Sequence, residues 1–261
     1  MKTKIYQIDA FTDKVFHGNP AAVCVLDEWP ADEKMQQIAA ENNLAETAFA
    51  IRKGDDFELR WFTPTTEVDL CGHATLATAF VLYKYFNYPL DKINFYSINS
   101  GILSVEKKGN ELILDFPTDI YEEIEIPHDL ISALDKKPVE AFKGKTDYLL
   151  IFATQKDIEE LKPYFNLLSG IKARGIIVSA PGNETDFVSR FFAPEVGVNE
   201  DPVTGSAHTT LIPYWSKRFN KNVLTAKQLS KRGGYLHCEY LGERVKISGQ
   251  AVTYLIGEIE I

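Results

Sequence analysis

The sequence predicts a mixed α/β (α+β) chain built from two similar halves, and three observations carry the prediction. First, one construction occurs twice. Trp61-Phe62-Thr63-Pro64 leads through a polar loop to Asp69-Leu70-Cys71-Gly72-His73, and Phe191-Phe192-Ala193-Pro194 leads likewise to Pro202-Val203-Thr204-Gly205-Ser206. Aligning Phe62 with Phe192 and Gly72-His73 with Gly205-Ser206 needs only a short insertion in the second copy, which is the mark of an internal duplication. Second, residues 74–86 are apolar nearly all round, as expected of a helix buried within a domain and able to plug a barrel-like sheet. Third, most of the remaining chain falls into short alternating runs punctuated by Gly, Pro and Asn, the pattern of strands and turns.

Taken in order, residues 4–11 alternate like a strand, His17-Gly18-Asn19-Pro20 is turn chemistry, and residues 21–26 form a second, more apolar strand. Helical spacing of Met35, Ile38 and Ala39 after Pro30 predicts a helix over 31–41. Residues 44–51 are strand-like, with Glu46 the one charge in a small or apolar run. Residues 57–62 make the strand that feeds the first Gly-His turn, and 93–95, 101–106 and 111–116 read as short strands completing the first half. The acidic segment 119–127 reads as a linker, giving halves at 1–118 and 128–261. Beyond it come a short helix at 129–134, strands near 148–153, 175–180 and 187–192, and a helix over 207–215 whose end Pro213 obscures. Strands at 225–230, 235–240, 244–248 and 251–259 finish the chain, the last of them a candidate to return to the first half.

At 261 residues the chain can bury a substantial core, and its 45% hydrophobic and 25% charged composition is that of a globular protein. A formal net charge of −9 argues against nucleic acid or an anionic membrane as partner, since both call for a basic face. An anionic small molecule remains admissible where local helix dipoles outweigh the global field. Cys24, Cys71 and Cys238 are odd in number and show no CxxC spacing, so neither a disulfide framework nor a structural zinc site is expected. The N-terminus enters a strand directly, with no secretory hydrophobic segment, and a reducing cytoplasm is the expected compartment.

Each repeated turn opens a helix, where unpaired N–H groups can grip a carboxylate. Two copies facing each other would aim two helix N-termini at one developing charge. Ser206, Gly205 and Thr204 in the second copy and Gly72 in the first are the candidate donors, although Ser206 also suits an ordinary helix cap. His73 stands at a positive dipole end, which favours a neutral ring. Glu46 alone would more often be a solvated strand residue, but Leu44, Ala45, Ala48 and Phe49 offer the apolar surroundings that raise a carboxyl pKa and suit it to both acid and base work. Asp201 precedes a proline and can be a simple turn former. Asn19 likewise has a turn role open to it.

These motifs together resemble the PhzF family of phenazine-biosynthesis-like isomerases, which share the diaminopimelate epimerase-like fold. Asp9-Ala10-Phe11 with Gly18-Asn19-Pro20-Ala21-Ala22-Val23, then Asn43-Leu44-Ala45-Glu46-Thr47, then Cys71-Gly72-His73-Ala74-Thr75, and finally Asp201-Pro202-Val203-Thr204-Gly205-Ser206-Ala207-His208 carry the likeness across nearly the whole chain. The resemblance implies two similar domains, each a sheet rolled around a central helix, with the active site in the cleft between them. It implies a homodimer with no metal and no organic cofactor, acting on a small, cyclic carboxylic acid in a biosynthetic process. The namesake isomerises trans-2,3-dihydro-3-hydroxyanthranilate by moving a proton between carbons. Its catalytic glutamate falls on Glu46, and its supporting histidine, aspartate and serine fall on His73, Asp201 and Ser206.

Two other readings compete. A two-thiol racemase or epimerase would use Cys71, but the second copy has Thr204 at the matching position, and a hydroxyl is far too weak an acid to replace a thiolate. A catalytically silent dimeric binding protein on the same fold would not need Glu46.

Overall fold

The computed structural model describes residues 2–260, which divide into two compact units, 2–115 with 248–260 and 116–247. In the first unit the elements run β1 (Lys2–Ala10), β2 (Asn19–Leu26), α1 (Asp32–Asn42), β3 (Glu46–Lys53), β4 (Asp56–Phe62), β5 (Glu67–Val68), α2 (Gly72–Tyr85), β6 (Lys92–Ser97), β7 (Gly101–Lys108) and β8 (Glu111–Pro117). In the second they run β9 (Glu122–Glu123), α3 (His128–Leu134), β10 (Glu140–Lys143), β11 (Asp147–Ile151), α4 (Gln155–Glu159), α5 (Phe165–Leu168), β12 (Gly175–Pro181), β13 (Phe187–Ala193), β14 (Val198–Asp201), α6 (Gly205–Phe219), β15 (Val223–Gln228), β16 (Gly234–Tyr240) and β17 (Arg244–Gly249). The last strand, β18 (Ala251–Glu260), pairs antiparallel with β1 over nearly its whole length.

The two units repeat one pairing scheme. In the first, β1 and β2 are antiparallel, β2 and β3 parallel, β3 and β4 antiparallel, β4 and β6 parallel, and β6 and β7 antiparallel. In the second, β10 and β11, β11 and β12, β12 and β13, β13 and β15, and β15 and β16 follow in the same senses. Register aligns the copies residue by residue. Thr47 lies opposite Phe62 as Ile176 lies opposite Phe192, and Ala21 lies opposite Glu46 as Asp147 lies opposite Gly175.

A helix sits at the heart of each scheme. α2 packs on β1, β2, β3, β7 and β18, and its residues 72–79 are all buried, as an all-apolar helix requires. α6 packs on β11, β15 and β16. It runs through Pro213 to Phe219, further than the sequence suggests, for a local reason. Proline cannot donate to the Thr209 carbonyl one turn back. The Asp119 N–H takes that carbonyl at 3.2 Å, and the Thr210 hydroxyl bonds the Asp119 carboxylate at 2.8 Å. Separate apolar clusters fill the outer layers: Met35 and Ile38 of α1 with Cys24, Phe49 and Phe62 in one unit, and Leu130, Leu150, Phe152, Ile176 and Phe192 in the other. Among the described residues no helix is long and apolar enough to cross a membrane.

Candidate active site

In the first unit, the start of β3 and the start of α2 place Glu46 beside His73. Glu46 Oε2 lies 3.1 Å from His73 Nε2, and the two side chains are 17% and 5% exposed. That oxygen is buried, and the approach is close without being aligned as a hydrogen bond. On the other edge of the ring, Asn19 Nδ2 lies 3.0 Å from Nδ1, and Cys71 Sγ lies 3.5 Å from the same nitrogen. An amide N–H that donates to Nδ1 makes that nitrogen the acceptor, so a neutral ring carries its hydrogen on Nε2, on the Glu46 side. Asn19 is held there by the preceding turn. Gly18 has φ +63°, and a Cβ on it would meet the Ala10 carbonyl oxygen at 2.1 Å, so only glycine fits. Asp9, itself buried, accepts the Phe16 N–H at 2.8 Å and steadies the same loop.

Charge in this cluster is shared. Burial opposes protonation of His73, but the Cys71 sulfur and the Glu46 carboxylate outweigh it and hold the ring well above the usual histidine range. The Cys71 thiol is itself pushed up to about 11, first by burial and then by Glu46. A thiol at that value is uncharged near neutrality, which leaves Glu46 as the partner that favours imidazolium. At this ring the Glu46 carboxylate therefore opposes the positive end of the α2 dipole. Glu46, Cys71 and His73 also offer three ligand atoms within 4.8 Å of one another, a set that would suit a borderline-soft divalent ion.

The second unit builds its cluster around the turn into α6. The Thr204 hydroxyl donates to Asp201 Oδ2. Gln228, fully buried, brackets this loop by accepting the Thr204 N–H at 2.8 Å and donating to the Asp201 carbonyl at 2.7 Å. Thr204 occupies the N-cap position and Ser206 is the second helical residue, so Ser206 is not the cap. Its hydroxyl oxygen instead accepts a hydrogen bond from Arg174 Nη1 at 2.8 Å, and the same guanidinium grips both oxygens of buried Asp147. His208, one turn further on, donates Nδ1–H to the Thr204 carbonyl at 2.8 Å, and burial lowers its pKa to about 4.

The family of phenazine biosynthesis-like proteins matches residues 8–257. This chain belongs to the PhzF family. An uncharacterized isomerase of Pseudomonas aeruginosa is 49% identical over the whole of both chains. The crystal structure of a PhzF family protein from Enterococcus faecalis superposes with a TM-score of 0.97 at 46% identity, each chain fully covered. A hydroxyproline epimerase from Agrobacterium vitis, 8% identical with a TM-score of 0.67 over 99% of this chain and 92% of its own, shares the fold alone.

The PhzF motifs thus fall into two groups. Asn19, Glu46, Gly72 and His73 gather in the first unit, with Cys71 among them, and Asp201, Thr204, Gly205 and Ser206 gather in the second. Asp147, Arg174 and Gln228 escaped the sequence reading. Two of them stand out once the strand register is known. Carried back along β12 and β11, the internal alignment sets Arg174 against Ala45 and Asp147 against Ala21, charges where the first copy has methyl groups.

Proposed function

We propose that this PhzF protein is a cofactor-independent isomerase that moves a proton between carbons of a small, cyclic carboxylic acid, with Glu46 as the general acid and base. The observation that carries the reading is the partly exposed Glu46 carboxylate set 3.1 Å from His73. In the reaction the carbon–hydrogen bond breaks, its electron pair passes into the conjugated system next to the carboxylate, and the proton rests on Glu46. A new bond then forms at another carbon as Glu46 returns the proton, so no oxidant, reductant or metal is consumed. His73, whose ring is biased toward protonation by Glu46, relays and steadies the charge of that carboxylate. By family likeness Asp201 orients the substrate, while Gly72, Gly205, Thr204 and Ser206 supply the polar donors that meet its carboxylate and the developing negative charge.

The two-thiol alternative needs Cys71 as a thiolate, and a pKa of about 11 works against it. The working protein is proposed to be a homodimer that needs no metal; sedimentation and metal analysis of active protein test both statements, and stoichiometric metal lost together with activity would refute the second. The reaction class is tested by incubating the protein in D2O with a panel of small cyclic carboxylic acids. Deuterium on carbon in at least one member is expected. Exchange in none, by protein shown to be folded, would leave the silent binding protein as the better reading.

A further inference from the structure

We infer that Arg174 is a positioning residue for the substrate carboxylate: it holds the Ser206 hydroxyl as an acceptor, so that the hydroxyl hydrogen is left to be donated outward. The inference rests on the proposed role of Ser206 as a carboxylate contact. A serine hydroxyl has one hydrogen and two lone pairs. With Arg174 Nη1 donating to Oγ at 2.8 Å, a guanidinium that has no acceptor of its own fixes Oγ as the receiving partner. The hydrogen must then point elsewhere, and the adjoining positive charge makes it a better donor to an anion.

The guanidinium is built into this position. The Arg174 N–H donates to the Thr146 carbonyl at 3.0 Å, and the side chain grips Asp147, whose carboxylate is 3% exposed, through two parallel bonds. Its central carbon lies 5.6 Å from the centre of the Phe191 ring. That ring occupies the space a side chain at Gly175 would need, since a Cβ there would approach it to 2.1 Å. A guanidinium held on three sides loses little freedom when it orients a neighbour. The Arg174 side chain is 35% exposed, so part of the guanidinium stays open to solvent beyond its contact with Asp147.

Register gives the arrangement its meaning. Gly175 is the counterpart of Glu46 and Ser206 that of His73, so each copy uses the corner between the start of one strand and the start of the central helix. One copy fills that corner with a glutamate–histidine pair, the other with an arginine–serine pair. The duplication has divided proton transfer from anion recognition.

The test measures binding of benzoate, anthranilate and cyclohexanecarboxylate, each beside its neutral amide, by calorimetry on folded protein. Arg174→Lys keeps a positive charge for Asp147 but cannot span Asp147 and Ser206 together. A second variant, Asp147→Asn with Arg174→Gln, removes both charges and leaves no carboxylate buried alone. For at least one acid, wild type should prefer the carboxylate to the amide. Ser206→Ala and each Arg174 variant should weaken carboxylate binding about tenfold, the loss of one charge-assisted hydrogen bond, and weaken amide binding by less, since the amide carbonyl accepts only a neutral bond. Ser206→Ala combined with Arg174→Lys should do no worse than either alone, because both act through one hydroxyl. If Ser206→Ala loses the preference while the Arg174 variants keep it, or if the losses multiply, the inference is overturned and the proposed function stands. If wild type prefers no carboxylate, or Ser206→Ala changes nothing, the carboxylate-binding part of the proposed function falls and this inference with it.

Discussion

At the scale of single residues, the His73 ring is the centre of the first cluster, and its proton reports on Glu46. A charge removed from Glu46 should let burial win. In an imidazole titration followed by NMR, His73 is expected to titrate above about 6.5, the ordinary histidine value, and to fall in Glu46→Gln. An unchanged titration in that variant would mean the two groups are not coupled. The sign for stability follows. A histidine raised in the folded state stabilises it fully below its unfolded value, and the contribution is lost as pH rises through the folded one. Glu46 was legible in the sequence because a charge in an apolar strand run stands out. Arg174 was not, because an arginine just before a strand has the look of a solvated residue until its contacts with Asp147 and Ser206 are seen.

At the scale of the element, α6 shows how a helix with an awkward sequence keeps both its ends. Pro213 leaves the end of the helix open in the sequence, and the carbonyl it frees at Thr209 is taken up by Asp119, a partner distant in sequence that no local pattern could supply. At the other end His208 back-bonds to the Thr204 carbonyl, as Thr75 does at 2.6 Å to the Cys71 carbonyl in the first copy. The histidine brings a pH dependence that the threonine lacks. Folded His208 is lowered to about 4, so the unfolded chain binds the extra proton first as pH falls. Its contribution is fully present above about 6.5 and is lost on the way down to about 4, on the order of 3 kcal/mol in all. Urea titrations from pH 7 to 4 should therefore show a shallower fall in stability for His208→Thr than for wild type. Equal slopes would place the acid sensitivity elsewhere.

At the scale of the whole molecule, the account is one of a duplicated unit whose copies have diverged. The likeness of the two turns was readable because Phe-x-Pro and the Gly at each helix start survive in both copies. The shared pairing scheme was less so: β10, α4 and α5 carry too few residues for any periodicity to show. Divergence also bears on the choice between mechanisms. Matched thiols would be expected if both copies moved protons, but Cys71 stands against Thr204, whose hydroxyl is engaged with Asp201. The proposed isomerase instead has one carboxylate act as both acid and base. The measurement that tests this most directly is the rate of deuterium incorporation from D2O into an accepted acid by folded Glu46→Gln and folded Cys71→Ser. Glu46→Gln should fall by about 10²–10⁴-fold, the loss of a general acid and base, while Cys71→Ser keeps most of the wild-type rate. Exchange that persists in Glu46→Gln and collapses in Cys71→Ser would make Cys71 the group that handles the proton.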